Sequence, residues 1–255
     1  MEIVKLLLEN GAKVNVMGGR YGNALQAASY GGNEAIVKVL LENGAEVNAE
    51  GGEYGNPLQA ASYGGNLNEA IVKLLLENGA EVNAEGGQYG NALRAASYGG
   101  YEEIVKLLLV NGADVNADGL QAASFRGNEA ILKLLLENRA EVNAKGGQYG
   151  NALQAAAASY EDNVDIVKLL LENGEEVNAE EGEYGNALQA ASYQGNEAIV
   201  KLLLDNGAEV NAEGGQYGNA LQAASFGGNE EIVKLLLENA SANLGPSSVD
   251  YSRLQ

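Results

Sequence analysis

The chain of 255 residues contains no cysteine and no histidine. The first absence excludes disulfides, thiolate metal sites and a cysteine nucleophile. It fits a reducing compartment, so a cytoplasmic or other intracellular location is expected. The second absence removes the commonest general base and the side chain that titrates near neutral pH. Tryptophan is missing too, and phenylalanine and proline occur twice each. Basic residues are few: 15 lysines and arginines stand against 35 aspartates and glutamates, a formal net charge of -20. Such a surface repels phosphate backbones and anionic lipid, so neither nucleic acid nor a membrane is expected as a partner. A basic partner would be steered towards it. No apolar run approaches the ~20 residues of a transmembrane helix. The start, Met1 to Lys5, lacks the basic region and cleavage site of a signal peptide, and it resumes in the middle of a repeated unit.

What the sequence has in abundance is repetition. One phrase, close to Ile-Val-Lys-Leu-Leu-Leu-Glu-Asn, begins at Ile3, Ile36, Ile71, Ile104, Ile131, Ile166, Ile199 and Ile232. A second, close to Asn-Ala-Leu-Gln-Ala-Ala-Ser, is anchored by Leu25, Leu58, Leu93, Leu120, Leu153, Leu188 and Leu221. The commonest spacing is 33 residues. A unit this short cannot bury its own apolar face, so the copies must stack into a solenoid.

One unit, Asn56 to Asn83, reads directly as structure. Asn56 is a preferred N-cap, and Pro57 follows where its missing N–H costs nothing. Leu58, Ala60 and Ala61 face inward from a short helix, and Gly64-Gly65 ends it. A second helix starts near Asn68 or Glu69. Ile71, Val72, Leu74, Leu75 and Leu76 give it a broad apolar stripe, and Asn78-Gly79 stops it. The arm that follows, Asn83 to Gly90, carries glycines that predict a projecting hairpin or loop.

Helix, turn, helix and projecting arm at this period resemble the ankyrin repeat, over roughly residues 1–243. The phrase Leu-Leu-Leu-Glu-Asn-Gly-Ala-Glu-Val-Asn-Ala carries the resemblance with the period and the order. The family usually opens its first helix with Thr-Pro-Leu-His. Here the opening is Asn-Ala-Leu-Gln, with proline kept at Pro57 and Arg94 in place of glutamine once. Asn keeps the capping role, and Gln retains the capacity to hydrogen-bond a neighbouring repeat without titrating. The Tyr-Gly-Asn-Ala-Leu-Gln variant is similar to ankyrin arrays of filamentous fungi, which often sit behind a nucleotide-binding signalling module. The expected fold is an all-α ankyrin-repeat solenoid of about eight units, the first partial, spanning residues 1–243. A flexible C-terminal tail, 244–255, follows Asn243.

The period is broken in three places. The intervals Leu58 to Leu93 and Leu153 to Leu188 are 35 residues, with extra pairs near Leu67-Asn68 and at Ala157-Ala158. The interval Leu93 to Leu120 is 27 residues, so the array is irregular near 117–120. An arm, its tyrosine and the Asn cap are missing there. Asp162 and Arg139 replace capping glycines, and a non-glycine residue held in the left-handed region costs about 1 kcal/mol.

No catalytic constellation emerges. Serine recurs at Ser29, Ser62, Ser97, Ser124, Ser159, Ser192 and Ser225, which is the pattern of a structural position. Glu175-Glu176 and Glu180-Glu181 lack a calcium-loop spacing. The glycine-rich arms, such as Glu213 to Gly218, lack the Gly-Lys-Ser/Thr ending of a phosphate loop. No enzyme activity, metal or cofactor is expected. The aromatic residues are the better candidates. Tyr30, Tyr63, Tyr98, Phe125, Tyr160, Tyr193 and Phe226 end the first helices, a position that the resemblance implies faces the partner-binding concave groove. Tyr21, Tyr54, Tyr89, Tyr149, Tyr184 and Tyr217 lie on the arms. Tyrosine offers apolar area and a hydroxyl at low entropic cost. The arm tyrosines are expected to pack from arm to arm. For the helix row, docking a partner and covering the alanine-rich groove stay open. The expected function is a non-enzymatic protein–protein interaction scaffold for a basic or amphipathic protein or peptide. Two alternatives accompany it: end-to-end self-association through the open first unit, where Ile3, Leu6 and Leu7 lack a covering helix, and the sensor half of a larger nucleotide-binding signalling protein.

Overall fold

The computed structural model describes residues 1–65, 68–116 and 118–243. The insertion at Leu67, residue Ala117 and the tail 244–255 lie outside the described residues. The chain divides into two compact units, Met1–Glu141 and Val142–Gln255. Among the described residues all regular structure is helical. In the first unit short inner helices α2 (Ala24–Tyr30), α4 (Pro57–Gly64), α6 (Ala92–Gly99) and α8 (Gly119–Phe125) alternate with outer helices α1 (Glu2–Glu9), α3 (Glu34–Glu42), α5 (Glu69–Glu77), α7 (Glu102–Val110) and α9 (Glu129–Glu137). The second unit has inner helices α10 (Ala152–Ala157), α12 (Ala187–Gln194) and α14 (Ala220–Gly227), and outer helices α11 (Val164–Glu172), α13 (Glu197–Asp205) and α15 (Glu230–Asn243). Each inner helix packs on its own outer helix, and within each unit inner helix packs on inner helix and outer on outer.

The core follows the two phrases. Leu58, Ala60 and Ala61 of α4 are buried against Ile71, Val72 and Leu75 of α5, and the same positions recur in α12 and α13. Alanine in the inner row lets neighbouring helices approach closely, while the longer side chains fill the space behind them. Lys38, Lys106, Lys133, Lys168, Lys201 and Lys234 of the outer helices pair with an acid one turn before, as in Lys106–Glu102 at 2.7 Å, an arrangement worth only a few tenths of a kcal/mol.

Four of the seven inner helices, α2, α4, α10 and α12, are held by one device. In α4 the Asn56 side chain accepts the Gln59 backbone N–H at 2.9 Å, and the Gln59 Oε1 accepts the Asn56 N–H at 3.0 Å, a closed capping box. The other end of the same carboxamide is also used. Gln59 Nε2 donates to the Ala84 and Gly90 carbonyls of the next arm, at 2.8 and 3.0 Å. Gln26, Gln154 and Gln189 repeat both functions, reaching Gly55, Gly185 and Gly218 respectively. All four are at most 2 % exposed. This explains the glycine before each Asn cap. Gly55 has φ +85°, and a Cβ there would lie 1.8 Å from Gln59 Oε1.

The broken repeat obeys the same logic. Arg94 occupies the glutamine position in α6, and the arm that a glutamine would grip is the one deleted before Gly119. Arg94 instead extends to Asp118, 3.7 Å away. Asp118 sits in the left-handed region with φ 53° and makes no side-chain cap. Gly119 then fits against Ser97 and Leu93, where an added Cβ would stand at 3.2 and 3.3 Å.

A second ladder runs along the turns. Asn48 Nδ2 donates to the Gly79 carbonyl at 3.1 Å, and its Oδ1 accepts the Glu81 N–H at 2.9 Å. Asn15, Asn83, Asn143 and Asn178 do the same. The arms are tight turns closed by single bridges, such as Gly86 to Gly90 and Gly214 to Gly218. Adjacent arms join through Gln88 N–H to the Glu53 carbonyl at 2.9 Å and Gln216 N–H to the Glu183 carbonyl at 3.0 Å.

Arg139 is held at φ 68°, as its place at a helix end implies. Asp162 is different. Among the described residues the non-glycine positions with positive φ are Asp118 and Arg139, so Asp162 does not act as a left-handed cap. Helix α10 has already ended at Ala157, and Ala158 caps it in right-handed geometry.

Replacing Gln59 with Ala should strip three backbone groups of a buried partner and cost about 2 kcal/mol. A urea unfolding curve with an unshifted midpoint would refute the clasp. Arg139→Gly should gain about 1 kcal/mol by relieving the left-handed strain, read as a raised thermal midpoint.

Candidate functional site

Within each unit the two aromatic rows predicted from the sequence interleave into one. In the first unit rings from arms and inner helices interleave. Tyr30 stacks on Tyr54 at 4.6 Å between centroids, Tyr54 on Tyr63 at 5.6 Å and Tyr63 on Tyr89 at 4.3 Å. Tyr21 joins Tyr30 at 5.2 Å, and Tyr98 meets Tyr89 at 5.4 Å and Phe125 at 6.3 Å. In the second unit Tyr193 stacks on Tyr217 at 4.7 Å, flanked by Tyr184 at 5.6 Å and Phe226 at 6.1 Å. These spacings are those of favourable offset aromatic pairs. The capping geometry produces them. The clasping glutamine pulls each arm against the preceding helix, so the arm ring enters between successive helix rings.

The row is partly packed and partly open. Tyr54 is buried, whereas Tyr30, Tyr63, Tyr89, Tyr98, Phe125, Tyr184, Tyr193 and Tyr217 are half-buried, with an edge to solvent. Tyr21 is 37 % exposed and Phe226 is 72 % exposed. Tyr149 is half-buried on its arm, whose carbonyl abuts Gly182. Tyr160 departs from its expected place. The inserted alanines put Ala158 at the position that a ring holds in the other inner helices, so Tyr160 falls beyond the helix and is 86 % exposed.

Burial and, next, the neighbouring Tyr30 hydroxyl raise the Tyr54 phenol, and burial and then Tyr63 raise Tyr89. Burial first, with Glu183 next, pushes Tyr184 up to about 12, and burial followed by Tyr193 does so for Tyr217. These shifts move the ionisation of the four phenols further into the alkaline range. Acidic side chains edge the row: Glu53 accepts Arg20, and Glu183 accepts Gln148 and Gln216 amides, each at 3.0 Å. Tyr101 was not anticipated. It stands where other repeats carry Asn before the outer helix, and its ring lies beside Gly65 and Gly99. Burial raises its phenol, with Tyr63 and Tyr30 contributing next. The available signal was Tyr at a position where the other repeats carry Asn, as at Asn33, Asn128, Asn163, Asn196 and Asn229.

Ser29, Ser62, Ser97 and Ser192 are fully buried, so these hydroxyls are shut away from any substrate. Among the described residues no group of three or more acidic side chains is placed to hold a metal ion, and no helix is long and apolar enough to cross a membrane.

A family model for ankyrin repeats matches residues 1–86, 25–119, 92–181, 120–214 and 153–247. Among solved structures, the crystal structure of the human ASB11 ankyrin repeat domain is similar at 30 % identity and a TM-score of 0.69, covering 84 % of this chain and 97 % of that one. No match was found among curated proteins.

One buried acid lies outside the aromatic row. Glu175 replaces the alanine that follows Asn-Gly in other repeats, such as Ala208, and is 6 % exposed. Neither carboxylate oxygen completes a hydrogen bond. Burial raises its pKa from 4.5 to about 8, opposed by the Leu153 backbone N–H and reinforced by Glu176. No nucleophile or cleft accompanies it, so it reads as a buried liability. Below about pH 4.5 it is protonated in both folded and unfolded chains and costs nothing. As pH rises from there to about 8 the unfolded chain loses the proton first, and stability falls. At pH 7 the cost is about 3 kcal/mol. Glu175→Ala should therefore stabilise the protein at pH 7 and leave it unchanged at pH 4. Equal gains at both pH values would show that packing, not ionisation, is responsible.

Proposed function

Because this chain belongs to the ankyrin repeat family, we propose that it is a non-enzymatic scaffold that binds a basic or amphipathic protein segment along the aromatic row and arm tips. The ankyrin fold is a generic protein–protein interaction module. The observation that supports the finer reading is the stack of half-exposed rings within each unit, set in a chain of net charge -20. Rings already stacked on one another lose little freedom when a partner covers their edges, which favours binding. The charge adds steering that salt would screen. An intracellular location goes with this reading.

A second reading has its own observation. Helix α1 buries no residue, and Ile3, Leu6 and Leu7 are 73, 59 and 56 % exposed. In α3 the residue matching Leu7 is Leu40, at 2 %. An apolar end of this kind supports self-association. The role as sensor half of a nucleotide-dependent signalling protein rests on the resemblance to fungal arrays.

Peptides selected from a random display library should be enriched in basic residues, bind more weakly as salt rises, and protect the aromatic segments from hydrogen exchange. Protection confined to the outer helices would remove the groove reading. Light scattering that shows a monomer at high concentration would remove self-association.

A further inference from the structure

We propose that this chain assembles with further copies of itself by helix exchange: the first arm of one copy docks on the last arm of another, and its α1 takes the place of α15 against α14. The inference rests on the self-association reading and names the contact that performs it. The two ends of the array are open and complementary. Ala24 and Ala27 of α2 are exposed, while the matching Ala92, Ala95, Ala187 and Ala190 are at most 1 % exposed. With Val16 and Tyr21 of the first arm they line an open hollow of about 370 Å³. At the other end Leu221 is half-buried and Gln222 and Ser225 are exposed, although their counterparts Leu188, Gln189 and Ser192 are buried. These positions meet within the array. Gly119, at the place of Ala24, rests on Leu93 and Ser97 of the preceding inner helix, the places of Leu221 and Ser225.

The bonds that join one repeat to the next are left half-made at both ends. Gln189 Nε2 donates to the Ala212 and Gly218 carbonyls of the following arm at 3.1 and 3.3 Å. Gln222 has no following arm to reach among the described residues. The first arm offers the matching acceptors, the carbonyls of Val16 and Gly22. Asn178 holds the Gly207 carbonyl and the Glu209 N–H at 3.0 and 2.9 Å, whereas the exposed Asn211 side chain has no partner among the described residues. The matching groups are the Gly11 carbonyl and the Lys13 N–H. Gly182 and Gly215 press against the Tyr-Gly pair of the arm before, and Gly19 faces open space. Charge agrees with this pairing. Lys13 heads a column that is otherwise acidic, at Glu46, Glu81, Asp114, Glu141, Glu176 and Glu209, so docking sets Lys13 beside Glu209. Residues 1–22 hold three cations against two acids, and residues 205–243 hold six acids against Lys234. Such complementarity steers encounter and fixes register.

One place in the joint is claimed twice. With first arm on last arm, α1 of the incoming copy and α15 of the host fall on the same side of α14. The two helices share nine identical residues, Glu2–Asn10 and Glu231–Asn239. Ile3 and Leu7 are exposed, and the matching Ile232 and Leu236 are 2 and 1 % exposed. Exchange therefore buries in α1 what it uncovers in α15, and the two apolar terms offset each other. What remains is gain: the covered inner faces, the glutamine and asparagine bonds, and Tyr21 laid on the exposed Phe226 as Tyr217 is laid on Tyr193. The incoming helix prevails because it ends at Glu9 and turns into an arm, whereas α15 runs on to Asn243 through the place of that turn. Each copy carries one end of each kind, so the contact is heterologous and recruits copies beyond two.

The absence of cysteine makes a direct test available. Full-length Ile3→Cys and Ile232→Cys variants, their folds checked by circular dichroism, are alkylated with iodoacetamide at rising protein concentration while light scattering reads the mass. The mass should grow beyond a dimer. As it does, the Ile3→Cys thiol should become shielded and the Ile232→Cys thiol should become reactive. Gln222→Ala, at an exposed position, should weaken association about tenfold. Lys13→Glu should weaken it about threefold, and adding Glu209→Lys should restore it. Growth in mass with the Ile232→Cys thiol still shielded, or an unchanged affinity in Gln222→Ala, overturns the exchange and leaves self-association standing. A monomer at every concentration removes both.

Discussion

A buried carboxamide sets the geometry of this molecule. The glutamine in the first turn of an inner helix accepts from its own N-cap through Oε1 and donates to the next arm through Nε2. One side chain therefore starts a helix and fixes the neighbouring repeat. Both ends of the amide are needed, and both lie out of water, where an unmade hydrogen bond is expensive. The glycine before the cap, the close arm-to-arm approach and the position of the arm tyrosine all follow from that bond.

The broken repeat shows the constraint by exception. Where the arm is lost, the glutamine is lost too, and Arg94 with Asp118 takes over the gap. A glutamine there would have had no arm carbonyls to meet. The deletion and the substitution are a single structural event, although 24 residues separate Arg94 from Asp118 in the chain. The Ala157-Ala158 insertion acts differently. It keeps the capping box at Asn151 and Gln154 but replaces the ring at the helix end with a small buried side chain.

The aromatic rings are held by packing between repeats. They satisfy one another across repeats, so the surface is assembled before a partner arrives. The stacking answers one of the two readings raised by the sequence, intramolecular packing, and leaves ring edges exposed for the docking proposed above. Acid groups along the arms border the rings, and Arg20 pairs with one of them, Glu53.

The repeating phrases by themselves determined the helix order, the inner and outer apolar faces, the caps and the family, because these are local: a cap, a stripe and a turn glycine act within a few residues. The strained Arg139 and the bare first helix were legible for the same reason. Only the tertiary structure decided that arm and helix tyrosines interleave within each unit, that Arg94 answers a missing arm, that Tyr101 lies beside Gly65 and Gly99, and that the Glu175 carboxylate is buried. Each of these depends on what the next repeat brings into contact, about one period away along the chain. A nearly uniform sequence does not advertise which of its few departures will meet across that distance.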